Sequence, residues 1–240
     1  MLAAGKKFDV DDFARMQQDV ASLPARRFQQ VLKKWRPQPG SSAAQAADEL
    51  LNWDGVLRAD SRPALIYEVW LQKLGPAVFA ANAAVADLEL LLHTLESQTN
   101  GPALQESLDA ALRQIEQQFG ADRSGWQWGK LHQLTLRHPL GKPEYQLGPV
   151  PRPGDGYTVN ATSGANFQQT NGASWREVID VGDWDRSIMT NVPGESGDPS
   201  SKHYGDLLED WAHGRYHPMP FSRKAVEAAM EEKIILKPGP

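Results

Sequence analysis

Apolar residues in the first half of this chain recur every three or four positions, the spacing of one helix face. Phe13, Met16 and Val20 follow Val10 on that period. After Ser22 the run PARRFQQVLKKW restarts it, with Pro24 suited to a first helical turn and a short break near Leu23. RPQPGSS at 36–42 reads as a linker ending in an N-cap signal, because serine hydroxyls accept from the free N–H groups that open a helix. A helix over Ala43 to Trp53 follows. Asp60 and Ser61 before Pro63 start another, whose stripe runs through Leu65, Ile66, Val69, Trp70, Leu74 and Val78. A further helix is expected over Val85 to Leu95. The clearest stripe is Leu104, Leu108, Leu112, Ile115 and Phe119, closed by Gly120 as a C-cap.

The period changes at Gly125. WQWGKLHQLTLRHPL puts Trp126, Trp128, His132, Leu134 and Leu136 on one parity, a strand pattern that Pro139 ends. From 141 to 200 Gly, Pro, Asn and Ser separate short strand-like pieces: YTVNATS, FQQTNG, SWREVIDV and RSIMTN. GDG at 154–156 and NG at 171–172 read as tight turns, so antiparallel hairpins are expected. Helix returns over Tyr204 to Trp211 and again after Ser222. The expected class is α+β: a helical region over 1–123, then an antiparallel sheet segment with C-terminal helices over 124–240, the two expected to form one packed unit. No repeat at a 20 to 50 residue period interrupts this layout.

Composition narrows the function. The chain has 240 residues, 40% of them hydrophobic, and eight tryptophans, enough for a packed core and too apolar for a disordered chain. A net charge of -5 offers no basic stripe for phosphates, so nucleic acid is not an expected partner, and neither is a membrane surface. No run approaches the roughly 18 to 20 apolar residues that span a bilayer, and the opening MLAAGKKFDV turns charged too early for a signal peptide. The absence of cysteine removes disulfides, thiolate catalysis and cysteine-bound zinc without fixing the compartment.

Candidate chemistry is sparse. The chain has neither a glycine-rich phosphate loop nor a GxSxG elbow. His213 and His217, with Asp206 and Asp210 upstream, have helical ligand spacing, but Gly214 and Pro218 interrupt that helix; no metal site is assigned, and the histidines read as packing at a helix end. His132 and His138 share a face with Trp126 and Trp128; either is a general base or a hydrogen-bonded histidine at a sheet edge, with no nucleophile identified beside it. Trp35, Trp53 and Trp70 belong to helical core positions. Trp126, Trp128, Trp175 and Trp184 are the tryptophans placed to line a pocket, including one that stacks on a sugar. In NVPGESGDPSSKHY (191–204), Asn191, Ser196 and the amides near Gly194 and Gly197 are potential oxyanion donors, and His203 is a further candidate. The competing reading is a turn capped by Asp198, with Ser200 and Ser201 opening the next helix.

Taken together, WQWGKLHQLTLRHPLG, GDGYTVNATS and GASWREVIDVGDWDRSIMTNVPGESGDPSSKHYGDLLEDWAHGRYHPMPFSR resemble the C-terminal part of the β chain of the penicillin amidase (penicillin acylase) family. FDVDDFARMQQDVASLPARRF and LLNWDGVLRADSRPALIYEVWL match more weakly. The resemblance implies part of a four-layer αββα N-terminal-nucleophile hydrolase. In that family a serine exposed by self-cleavage attacks an amide carbonyl, its own α-amino group serving as base. The segments bearing that serine, the oxyanion asparagine and the calcium ligands align before residue 1, so none is assigned here and no cofactor is expected in this chain. Gly40–Ser41 is a Gly-Ser junction only superficially, since it lies in a linker between helices. The implied function is hydrolysis of a non-peptide amide, in an acylated β-lactam or acyl-homoserine lactone, by a parent enzyme of which this chain alone is inactive. Its partners are then the α chain, the N-terminal part of the β chain and a small amide substrate, with homo-oligomers possible through exposed sheet surface. The family habit implies a periplasmic or extracellular parent. The alternative is a non-catalytic binding or scaffold protein retaining half of the fold.

Overall fold

The computed structural model of this chain describes residues 5, 7–79 and 87–239. The fold is α+β and divides into two compact units, Asp19–Gly172 and a smaller one made of Met1–Gln18 with Ala173–Pro240. Helix α1 (Val10–Gln17) belongs to the smaller unit. It is opened by a reciprocal capping box in which Asp9 and Asp12 each accept the other's backbone N–H.

The larger unit begins with α2 (Leu23–Lys34), α3 (Ser42–Asn52), α4 (Arg62–Phe79), α5 (Leu88–Ser97) and α6 (Gly101–Phe119). Their starts follow the side chains expected to cap them. Ser22 Oγ accepts from Ala25 N at 3.2 Å with Pro24 in the first turn, and Ser41 Oγ accepts from Ala44 N at 3.1 Å. The Ser41 hydroxyl thus serves as a helix cap. Gly120 takes φ +83° after α6, a conformation that costs glycine little. Val85, where a helix was expected to begin, lies outside the described residues; α5 starts at Leu88 behind an Asp87 cap.

Helix α4 packs along α6, and its stripe is buried as its period requires. Trp70 has no exposed surface, meets Phe28 edge-on at 5.7 Å, and donates its indole N–H to Ser107 Oγ at 2.9 Å. Each fully buried Leu65, Ile66 or Leu74 side chain stabilises this layer by roughly 1.5–3 kcal/mol relative to exposure.

The change of composition near residue 124 falls inside this unit. Trp126 and Trp128 are not on a strand: the chain turns through α7 (Trp128–Leu131), and strand β1 is only Gln133–Leu136. The cause is burial. Both tryptophans enter the core, where their indole N–H groups find the carbonyls of Gly120 and Gly154 at 2.9 Å, a placement that an extended segment does not give. Strand β2 (Leu147–Pro151) pairs antiparallel with β1, and β3 (Thr162–Ser163) with β4 (Asn171–Gly172). The NG pair at 171–172 therefore lies in a strand instead of forming the turn; residues 164–170 make that connection.

In the smaller unit β5 (Trp175–Val178), β6 (Ile188–Asn191) and β7 (His217–Pro218) form an antiparallel sheet in that order. Helix α8 (Leu208–Ala212) packs on β6, and α9 (Arg223–Ala229) is capped by Ser222. The helix expected from Tyr204 starts four residues late. Ser201 Oγ takes the His203 N–H, and the Pro193 carbonyl takes that of Leu207, so these amides turn the chain before it can coil.

Candidate functional site

The larger unit contains a cleft of about 420 Å³ between α4, α7 and the loops at 155–157 and 162–167. Trp128, Phe167, Tyr157 and Leu71 supply its apolar walls. His132 lies against Trp128, their rings stacked at 4.5 Å and 7°, while Phe167 meets Trp128 edge-on at 6.0 Å. His132 Nδ1 is 2.6 Å from the Phe167 carbonyl, which can only accept, so Nδ1 carries the proton. Nε2 is 2.9 Å from Thr162 Oγ1, and that hydroxyl also reaches the Pro153 carbonyl at 2.8 Å. Burial pulls the His132 pKa down to about 4, against the Phe167 carbonyl, which favours the charged ring, and with help from the Arg152 charge. The ring is neutral at pH 7.

Threonine next to a histidine held by a third group has the outline of an activated nucleophile. Exposure decides against it. Thr162 and His132 are 1% and 2% exposed, and the one Thr162 hydroxyl proton faces two acceptors within the protein, His132 Nε2 and the Pro153 carbonyl, so an incoming carbonyl has no approach. The pair ties the β3 loop to α7 and shapes the cleft wall.

Glu68 and Asp155 form the polar end of the cleft. Asp155 sits in the GDG turn, where Gly154 at φ +80° is required: a Cβ would stand 2.7 Å from the Asn160 carbonyl. The turn is closed by Tyr157 N donating to Asp155 Oδ1 at 2.7 Å. Asp155 Oδ2 and Glu68 Oε1 are both buried and, among the described residues, meet no N–H or O–H group outside the pair. Glu68 as a residue is partly exposed, but its Oε1 is not, and its carboxyl faces that of Asp155 at hydrogen-bonding range. Burial, and then the Asp155 charge, raise the Glu68 pKa well above the carboxylate range; burial raises Asp155 too, opposed by the bond from Tyr157 N. Two such groups hold one proton between them, with Glu68 as the donor.

The loop at 191–204 is folded on itself. Asn191 Nδ2 donates to Glu195, Ser196 N donates to the His203 carbonyl at 3.0 Å, and Ser196 Oγ accepts from Asp198 N at 3.1 Å. Asp198 Oδ1 in turn accepts from Ser200 N and Oγ at 2.9 and 2.8 Å, and His203 Nδ1 lies 2.8 Å from Asp206 Oδ2. Asn191, Ser196 and His203 are brought together as a turn in which Asn191 Nδ2 and Ser196 N donate to the loop itself. His138 lies in the turn after β1, where Nδ1 accepts from Leu140 N at 3.1 Å and the ring meets Tyr145 edge-on; it does not line the cleft with His132. His213 caps the end of α8 and His217 lies in β7; among the described residues no three His, Asp or Glu side chains are grouped to hold a metal.

Trp128 and His132, singled out from the sequence, do meet in the cleft. Glu68, Asp155 and Thr162 were missed. Glu68 carried a signal, as the one acid inside the apolar run LIYEVWL on a helix otherwise buried there.

Comparison with known proteins extends the picture beyond these residues. The family model for penicillin amidase matches residues 1–228. The chain is 27% identical to acyl-homoserine lactone acylase QuiP of Pseudomonas aeruginosa, over 98% of this chain and 35% of that protein. It is 31% identical to penicillin acylase 2 proenzyme of Pseudomonas sp. strain SE83, over 98% of this chain and 34% of that protein. It therefore spans about a third of the length of the curated relatives it matches. Among solved structures, a thermostable penicillin G acylase from Alcaligenes faecalis shares the fold with a TM-score of 0.56 at 17% identity, covering 97% of this chain and 50% of that one. With the sequence match running through both compact units and the fold agreeing along nearly the whole length, the chain belongs to the penicillin amidase family.

Proposed function

We propose that this chain is the C-terminal portion of an acylase that hydrolyses a non-peptide amide, with an acylated β-lactam or an acyl-homoserine lactone as the substrate class. The observation that carries the reading is the family match over 1–228 combined with coverage of only about a third of each relative. The internal engagement of Thr162, His132 and the 191–204 loop agrees with a nucleophile located outside these residues. In such an enzyme an N-terminal serine attacks the amide carbonyl, its α-amino group taking the proton, while an oxyanion hole stabilises the tetrahedral intermediate. The chain described here then contributes scaffold, and the calcium site lies with the upstream part. The parent works in the periplasm or outside the cell, with the α chain and the N-terminal part of the β chain as its partners.

The test is an amidase assay with a chromogenic phenylacetyl anilide and a long-chain acyl anilide, on this chain alone and on the chain extended upstream. Turnover confined to the extended protein is the expected result, and the preferred anilide assigns the acyl class. Turnover by this chain alone overturns the reading.

A further inference from the structure

The buried acid pair of the cleft has no part in the acyl transfer proposed above. Asp155 is 5% exposed, yet among the described residues its Oδ2 and Glu68 Oε1 beside it meet no donor from any third group. Burying an acceptor without a donor is costly, and two facing carboxyl groups with one proton between them leave most of their lone pairs unused. Both side chains line an open cleft whose walls carry Trp128, Tyr157, Phe167 and Leu71, with neutral polar groups such as Gln72 and Asn166 between them.

We propose that this cleft binds an organic cation, an ammonium or guanidinium head on an apolar stem, whose N–H groups donate to Glu68 Oε1 and Asp155 Oδ2. The charges around the pair favour that occupant. Glu68 faces it from α4 and Asp155 from the GDG turn; Tyr157 stands beside them with Asp87 acting on it; and His132, from the end of α7, is neutral. Arg152 is fully buried and donates to Gln169 Oε1 at 2.9 Å, and among the described residues no lysine or arginine lines the cleft. The head therefore finds two acceptors and no competing positive charge. Trp128, Phe167 and Tyr157 offer the stem apolar surface and aromatic rings, which attract cations. A volume of about 420 Å³ is at the lower end of small-ligand sites, enough for one ring and a charged head. That chemistry has two sources: a free amine, or a Lys or Arg side chain of another polypeptide.

The proposal is tested by calorimetric and tryptophan-fluorescence titration of this chain with benzylammonium, N-acetyl-argininamide and, as the uncharged counterpart, benzyl alcohol. Saturable one-to-one binding of a cation is expected near pH 8, weakening about tenfold or more as added acid protonates the pair, and about tenfold or more tighter than that of benzyl alcohol. Tighter binding of the arginine derivative assigns the site to a polypeptide side chain, and tighter binding of benzylammonium to a free amine. Glu68→Gln is the informative variant. Its amide gives Asp155 Oδ2 a permanent donor, so it loses cation binding while its thermal midpoint at pH 8 rises. Asp155→Asn keeps an oxygen for Tyr157 N and provides the second variant if Glu68→Gln does not fold. Equal affinity for benzyl alcohol, the absence of saturation by either cation, or unchanged binding in both acid variants overturns the proposal.

Discussion

In the Asp19–Gly172 unit Trp35, Trp70, Trp126 and Trp128 are all buried, whereas in the smaller unit Trp175 and Trp184 are about half exposed and Trp211 alone is buried. The contrast extends to the aliphatic residues. Long helices with wide apolar stripes bury Leu65, Ile66 and Leu104 completely in the larger unit; in the smaller one Val178 and Leu208 are buried while Val181 is 83% exposed. A three-stranded sheet of two- to four-residue strands has little interior, so its cohesion rests on caps, turns and ion pairs at its surface. The larger unit is thus held by burial and the smaller by local hydrogen bonding. Uncovered apolar surface of the kind around Trp184 and Phe221, whose rings meet at 4.8 Å, is where another polypeptide packs on the reading proposed above.

Unfolding measurements should separate the two units. Trp70→Ala removes a fully buried ring and leaves Ser107 without its indole donor; a loss of roughly 3–5 kcal/mol is expected by urea unfolding, against about 0.5 kcal/mol or less for Trp175→Ala. Similar losses at the two positions would erase the distinction.

The acid response should belong to the larger unit and is next in size. His132 has its folded pKa lowered to about 4 from an ordinary 6.5, so the unfolded chain takes up a proton that the fold refuses. Its contribution is complete above pH 6.5 and is lost as pH falls toward 4, on the order of 3 kcal/mol. Glu68 has the opposite sign: the fold keeps a proton that the unfolded chain has released, so stability declines as pH rises from the ordinary carboxylate range toward the raised value. Urea midpoints across pH should therefore respond to both substitutions, His132→Gln reducing the loss toward acid pH and Glu68→Gln the loss toward alkaline pH. A pH profile unchanged by both substitutions would remove these groups from its cause.

Glycine substitutions sharpen the contrast at smaller scale. Gly154→Ala meets a positive φ and a carbonyl at 2.7 Å, and should cost roughly 1–3 kcal/mol, while Gly197→Ala in the smaller unit meets nothing within 4 Å and should leave the midpoint unchanged. At the lower end, Lys202→Ala breaks an ion pair with Glu231 whose side chains are both mostly exposed, and no change in midpoint is expected. Sedimentation should meanwhile show self-association of the isolated chain; a clean monomer over a wide concentration range counts against the exposed apolar surface as a docking face.

The helices were legible because period, caps and burial agree: Ser22, Ser41 and Gly120 stand where the apolar stripes begin or end. Legibility failed where side chains redirect the backbone. Alternation over Trp126–Leu136 imitated a strand because the two indoles demand carbonyl partners, and the serines after Asp198 delayed α8. Of the cleft, Trp128 and His132 were readable as residue types. The Glu68–Asp155 pair was not, since 86 residues of chain separate two acids that only the packing of α4 against the GDG turn brings together.

The central claim, that these 240 residues are acylase scaffold without its nucleophile, is most directly tested by treating this chain and an upstream-extended form with a serine-reactive sulfonyl fluoride and locating the adduct by peptide mass spectrometry. The prediction is a single adduct on the extended protein, at a serine outside this chain, and none on the chain alone. A stoichiometric adduct on a serine or threonine within residues 1–240 would contradict it.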